Sequence, residues 1–177
     1  MRTMLKALTL SALAAAPLLF IASPAHALTN VTLTGGQLSV NSSDVADNIT
    51  ISFNGSFIDV VNTNDTLITN PACSQISNTT VRCPSGGVNR LLANVQGGGD
   101  IVRNNTTLPL QAFLGPGSDQ YFGGSNEDRV SGGSDRDTMI GNGGNDIMDG
   151  GSGIDTADGG SGTDICVAET ETACELN

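Results

Sequence analysis

GGSGIDTADGGSGTDICV, residues 150–167, is one nine-residue phrase written twice: G-G-x-G-x-D-x-U-x, where U is apolar or small. Reading outward, 123–131 (GGSNEDRVS), 132–140 (GGSDRDTMI), 141–149 (GNGGNDIMD) and 114–122 (LGPGSDQYF) repeat it, each with one departure among its glycines. Six tandem units therefore fill residues 114–167. The sixth-place aspartate never slips: Asp119, Asp128, Asp137, Asp146, Asp155 and Asp164 stand nine residues apart. A repeat of this period marks a solenoid, in which each unit stacks on its neighbours.

The spacing has a physical reading. Early glycines allow the positive φ of a tight turn. Asn126 and Asp135, which replace glycine at the fourth place, are the side chains best tolerated in left-handed backbone. A three-residue strand, x-U-x, follows each turn, and its alternation points the U residue inward. The expected core of the repeats is thus Tyr121, Val130, Met139, Met148, Ala157 and Cys166. Two units make an eighteen-residue coil. Like turns then stack one strand spacing apart, about 4.8 Å. One stack carries Asp119, Asp137 and Asp155, the other Asp128, Asp146 and Asp164.

Carboxylates that close repel unless a cation lies between them. Calcium suits such a place, because it takes six to eight carboxylate and carbonyl oxygens in flexible geometry. The expected ligands are the six aspartates with turn carbonyls of Gly117, Gly124, Gly133, Gly151, Gly153, Gly160 and Gly162. Two gaps per stack predict about four ions. The gaps bounded by Asp137/Asp155 and Asp146/Asp164 should be best formed, since Leu114 and Pro116 perturb the turn before Asp119. Few large apolar residues stand in the repeats, so the block is expected to order only as the metal binds.

The ends of the chain and its charge bound the setting. Residues 1–27 read as a secretory signal peptide: Arg2 and Lys6, an apolar run from Leu8 to Ile21, then Ala25-His26-Ala27 as cleavage site. Cleavage leaves residues 28–177 with five arginines, no lysine, no histidine and eighteen acids, a net charge of −13. Nucleic acid is not an expected partner at that charge. Nor is a membrane, since no second apolar run follows. The protein is expected to be secreted and extracellular. Cys73, Cys83, Cys166 and Cys174 then read as two disulfides. Of the three pairings, Cys73–Cys83 and Cys166–Cys174 are favoured by closeness in sequence. The second would fold the tail 168–177 under the open end of the coil as a cap.

Residues 28–90 read as a β-rich region of short alternating strands: Val31–Thr34, Gln37–Val40, Ile49–Phe53 and Phe57–Val61, with a hairpin turn at Asn54-Gly55-Ser56. Gly97-Gly98-Gly99-Asp100 resembles a degraded repeat turn, nineteen residues before Asp119. The roll is therefore expected to span 91–167, irregular at first and regular from 114, with Val95, Val102, Leu110 and Phe113 extending its core. Whether residues 28–90 form a separate small sandwich or lead into the coil stays open at this stage. The expected class is all-β, a parallel β-roll or β-helix.

These repeats resemble the haemolysin-type, or repeats-in-toxin (RTX), calcium-binding β-roll. The chain also resembles small exported calcium-binding proteins of actinobacteria. Those place an A-D-N-I-T-like strand (Ala46 to Thr50) and a cysteine loop before the repeats and end in a D-x-C…C tail. The resemblance implies calcium on the sixth-place aspartates and turn carbonyls. It does not imply toxin activity, since no effector domain is read here. Catalysis is not expected: residues 28–177 lack His, Lys and Trp, and neither H-E-x-x-H nor G-x-S-x-G occurs. The expected role is structural or surface-associated. The alternatives are a calcium-dependent module for a glycan or cell wall, and a detached repeat domain related to secreted toxins or enzymes.

Overall fold

A computed structural model describes residues 28–175. The expected signal peptide, 1–27, lies outside the described residues, as do Leu176 and Asn177. The upper part holds β1 (Leu28–Thr34), β2 (Gln37–Asn41), β3 (Asn48–Asn54), β4 (Phe57–Asn62), β5 (Thr66–Thr69), β6 (Ser74–Ser77), β7 (Thr80–Pro84), β8 (Arg90–Asn94) and β9 (Ile101–Asn105). The repeats hold β10 (Leu110–Pro116), β11 (Gln120–Phe122), β12 (Arg129–Ser134), β13 (Thr138–Ile140), β14 (Ile147–Ser152), β15 (Thr156–Asp158), β16 (Ile165–Val167) and β17 (Thr170–Thr172). There is no helix among the described residues, and the fold is an all-β roll.

Two sheets face each other along the whole length. One runs β16-β14-β12-β10-β8-β2-β1-β5 and the other β17-β15-β13-β11-β9-β3-β4-β7-β6. From β8 onward successive strands alternate between them, so each coil contributes one strand to each. From β8 and β9 downward every pairing is parallel. In the repeats the register is eighteen residues, as in Val130↔Met148 and Met139↔Ala157. One coil earlier it is nineteen, Leu91↔Leu110 and Val102↔Tyr121, which takes up the extra residue before Asp119.

The region 28–90 continues these same sheets. β2 and β3 pair in parallel with β8 and β9 and then turn back as antiparallel hairpins, β1–β2 and β3–β4. The hairpin at Gly55-Ser56 is where the sequence places it. A second, at Gly35-Gly36, has φ of 57° and 81°, the left-handed pair that a two-residue turn requires.

The core is one row of inward side chains per strand. Tyr121, Val130, Met139, Met148, Ala157 and Cys166 are all buried, as are Val95, Val102 and Leu110. Phe113 is not; it is 43% exposed. The inward places of β10 are Leu110, Ala112 and Leu114, so Phe113 falls on the outer parity of the strand. Strand lengths also differ between the faces. β12 and β14 run on through the glycines of the next unit, while β11, β13 and β15 stay at three residues.

Both disulfides form, Cys73–Cys83 and Cys166–Cys174. The second ties the tail beyond β17 back to β16, while β17 itself pairs with β15 at the lower end.

Candidate metal centre

The stacked turns put the repeat aspartates into two columns. In the first, each backbone N–H donates to the carboxylate one coil below. Asp100 N–H reaches Asp119 Oδ1 (2.7 Å), Asp119 N–H reaches Asp137 Oδ1 (2.9 Å), and Asp137 N–H reaches Asp155 Oδ1 (2.8 Å). In the second, Asp128 N–H donates to Asp146 Oδ1 and Asp146 N–H to Asp164 Oδ1, both at 2.7 Å. The columns hold the two sets that the eighteen-residue coil predicts.

Each column is longer than the repeat. Asp47 N–H donates to Asp100 Oδ1 (2.7 Å), which lengthens the first column upward. Below, Asp155 N–H donates to Glu169 Oε2 (2.7 Å) and Asp164 N–H to Glu175 Oε2 (2.6 Å). The two glutamates of the disulfide-held tail thus stand where the next aspartates would be. Glu169 titrates below the usual carboxylate range, because the N–H of Asp155 bonds it.

The second carboxylate oxygen decides the chemistry. Oδ2 of Asp100, Asp119, Asp137, Asp146, Asp155 and Asp164 is buried with no hydrogen-bond partner, and these side chains are at most 1% exposed. A buried, unsatisfied carboxylate oxygen is costly. No protein cation offsets it: the ion pairs among the described residues are Arg82–Asp59 and Arg129–Glu127, away from both columns. Burial above all, with neighbouring carboxylates adding to it, pushes Asp137 and Asp146 up to about 7; Asp119 is raised too.

Asp128 is the exception. Its Oδ2 accepts Gly124 N–H (2.8 Å) and its Oδ1 accepts Leu110 N–H (2.6 Å), so protein donors already satisfy it. Asp47 is similarly closed, by Asn62 and Ser42.

The first glycine of each unit leaves room beside these carboxylates. A methyl carbon built on Gly132, Gly141 or Gly159 would land within 2.6 Å of two oxygens. One is Oδ2 of the aspartate in the same unit; the other is the carbonyl of Gly150, Gly159 or Ala173 in the next coil. No side chain fits that notch. An ion with oxygen ligands at about 2.3–2.6 Å could touch both. The donors are oxygens throughout, and no group of three or more His, Cys, Asp or Glu side chains suited to a metal occurs among the described residues. A set of one carboxylate per turn plus carbonyls fits a hard cation such as calcium and not zinc.

Positive φ explains most of the other glycines, though not Gly124 or Gly153. At the second place Gly133, Gly151 and Gly160 have φ of 122°, 91° and 88°, and Asn142 takes the same region at 66°. At the fourth place Gly117, Gly144 and Gly162 are left-handed, and so is Asp135 at 80°. Asn126 is not among the left-handed residues, contrary to the reading of its substitution; its Nδ2 instead donates to the Thr107 carbonyl, 3.3 Å away.

The family of the RTX calcium-binding nonapeptide repeat, whose pattern spans four copies, matches over 114–148, 122–157 and 140–170. Residues 114–170 are RTX calcium-binding repeats. No curated protein and no solved structure matches the chain. RTX nonapeptide repeats bind Ca²⁺, and four copies correspond to about four ions.

Sequence reading missed several members of the RTX columns. Asp47 carries the repeat's own D-x-U-x signature, Asp47-Asn48-Ile49-Thr50, and its strand aligns with Ile101 and Val102. Glu169 and Glu175 give no such signal, since their placement depends on the tail folding back. The seven glycines expected as carbonyl donors occupy second and fourth places, whereas the carbonyls facing the notches belong to first-place Gly141, Gly150 and Gly159 and to Ala173.

Proposed function

We propose that this is an exported, extracellular protein of structural or surface-associated role, whose lower coils assemble around calcium. Asp119, Asp137, Asp146, Asp155 and Asp164 are the charged ligands, completed by turn carbonyls, with Asp128 the least available of the six. The row of buried, unpartnered Oδ2 atoms supports this reading best. Bound calcium would supply the positive charge those oxygens lack. The chain's part is to hold each carboxylate in place through its Oδ1 hydrogen bond and to keep side chains out of the notch. Residues 1–27 and the two disulfides support export into an oxidising medium. The columns do structural work in this reading, and no catalytic role is assigned to them.

Calorimetric titration of calcium into the disulfide-intact protein should give about four ions. Asp146→Ala and Asp155→Ala should each lower affinity. A stoichiometry near zero, or wild-type affinity in both variants, would refute the ligand set.

One observation favours a second reading, calcium-dependent binding of a polysaccharide or cell wall. A shallow groove of about 250 Å³ has a floor of Leu91, Leu92, Pro109 and Leu110 rimmed by Gln37, Arg90, Gln111, Glu127 and Arg129, a mixed lining of the kind that meets sugar rings and hydroxyl groups. Co-sedimentation with cell-wall material, with and without calcium, separates the two readings.

A further inference from the structure

The first column does not stop at the family's repeats. The unit 95–103, VQGGGDIVR, lies outside the matched residues and lacks glycine at its first two places. Its backbone nevertheless follows the repeat. The second and fourth places, Gln96 and Gly98, have φ of 63° and 138°, matching Gly115 (99°) and Gly117 (141°) one coil below. A methyl carbon on Gly115 would fall on the Gln96 carbonyl oxygen, and one on Gly117 on that of Gly98. Gly133 meets the Gly115 carbonyl in the same way within the regular coils. The two turns therefore stack as repeat turns do.

The chemistry between them is also that of the repeats. Asp100 is fully buried and its Oδ2 has no partner; Asp119 below it is in the same state. Carbonyls lie between the turns, since Ser118 O stands 3.4 Å from the place a side chain would take on Gly99. Val95 and Leu114 occupy the first places, so the notch seen lower down is absent. The donors here are two carboxylates with carbonyls of the 96–100 and 115–119 turns. One coil higher the pattern ends, because Asp47 is satisfied by Asn62 and Ser42.

We propose a divalent-cation site outside the nonapeptide repeats, in the gap between the turns at 96–100 and 115–119, with Asp100 and Asp119 as its charged ligands. The oxygen-only donor set selects calcium. The proposal rests on the reading of the repeat carboxylates as calcium ligands. It makes the columns unequal: the first extends one ion above the repeats, while the second is closed at its top by the protein donors on Asp128.

Native mass spectrometry of the disulfide-intact protein in calcium tests this by counting ions. Asp100→Asn keeps an oxygen to accept the Asp47 N–H, so the ladder survives the change. Asp100→Asn should carry one ion fewer than wild type, Asp155→Asn likewise, and the double variant fewer than either. Equal counts for wild type and Asp100→Asn, with a loss in Asp155→Asn, would overturn this site and leave the repeat sites standing. No loss in either variant would overturn the repeat reading as well. If Asp100→Asn does not fold, an anomalous difference map from wild-type crystals grown in calcium decides. A peak about 2.3–2.6 Å from Oδ2 of Asp100 supports the site; a flat map there overturns it.

Discussion

The coils built from residues 28–113 and those built from 114–175 share two sheets, yet their interiors differ in kind. In the upper coils Leu38, Ile49, Ile51, Ile58, Leu67 and Leu91 fill the space between the sheets, and antiparallel hairpins lock the strands. In the lower coils, Leu114 apart, each nine-residue unit gives one inward apolar side chain, shrinking to Ala157 and Cys166 at the bottom. One buried apolar side chain contributes about 1.5–3 kcal/mol. Ordering nine backbone residues costs roughly 1–2 kcal/mol each. The upper coils can order by burial; the lower coils need something between their carboxylates. One pair of sheets thus carries two sources of stability.

Removing calcium should separate the regions most sharply. With chelator, amide protection in β12, β13, β14 and β15 should be lost while β2, β3, β4 and β8 keep theirs, followed by hydrogen exchange. If both regions lose protection together, the two are one cooperative unit and the contrast fails.

The glycine notches give the next largest effect. Gly141→Ala puts a methyl group against Asp146 Oδ2 and the Gly159 carbonyl, neither of which can move without disturbing the column. Gly86→Ala, in the upper coils, meets nothing within 4 Å. Calcium affinity should fall at least tenfold in Gly141→Ala, a change of about 1.4 kcal/mol, and stay at the wild-type value in Gly86→Ala. Equal affinities would show that the first-place glycines answer to chain stacking alone.

Why one region was legible and the other less so follows from the same contrast. The lower coils repeat one local solution, so Asp119 to Asp164 and the row from Tyr121 to Cys166 can be read from period alone. Turn chemistry also placed the hairpin at Gly55. Period fails where the constraint is long-range. Nothing local says that β3 aligns with β9 and brings Asp47 above Asp100, or that the tail returns to place Glu169 and Glu175 beneath the columns. Phe113 was misplaced because β10 begins at Leu110, ahead of the first regular repeat, and its inward parity falls on Leu110, Ala112 and Leu114. Asn126 was misread because a carbonyl partner, Thr107, serves it better than left-handed backbone.

The cap sharpens the comparison at the lower end. Cys166→Ser with Cys174→Ser frees the segment that carries Glu169 and Glu175. A loop this short contributes about 2–3 kcal/mol, and its loss should weaken calcium binding at Asp155 and Asp164. Cys73→Ser with Cys83→Ser, in the upper coils, should lower Tm without changing the calcium isotherm. Equal isotherms for both double variants would mean that the tail glutamates do not brace the columns.

Acidity should produce the smallest and most diagnostic difference. Burial first, then neighbouring carboxylates, push Asp137 and Asp146 up to about 7 in the folded chain without metal, against about 3.9 for an unfolded aspartate. A folded value above the unfolded one means that the folded chain binds the proton more tightly. Stability from this source is full below about 4 and is lost as pH rises through about 7. The chelated lower coils should therefore regain strand structure between pH 8 and pH 5, followed by far-UV circular dichroism, as protons neutralise what calcium otherwise would. With calcium present the sign reverses, because protons compete for the same oxygens and affinity falls over that range. The upper coils should follow more weakly, through the buried Asp100, also pushed up to about 7, and Asp47, raised by burial. If the chelated lower coils gain nothing on acidification, their carboxylates are not the groups that hold them apart.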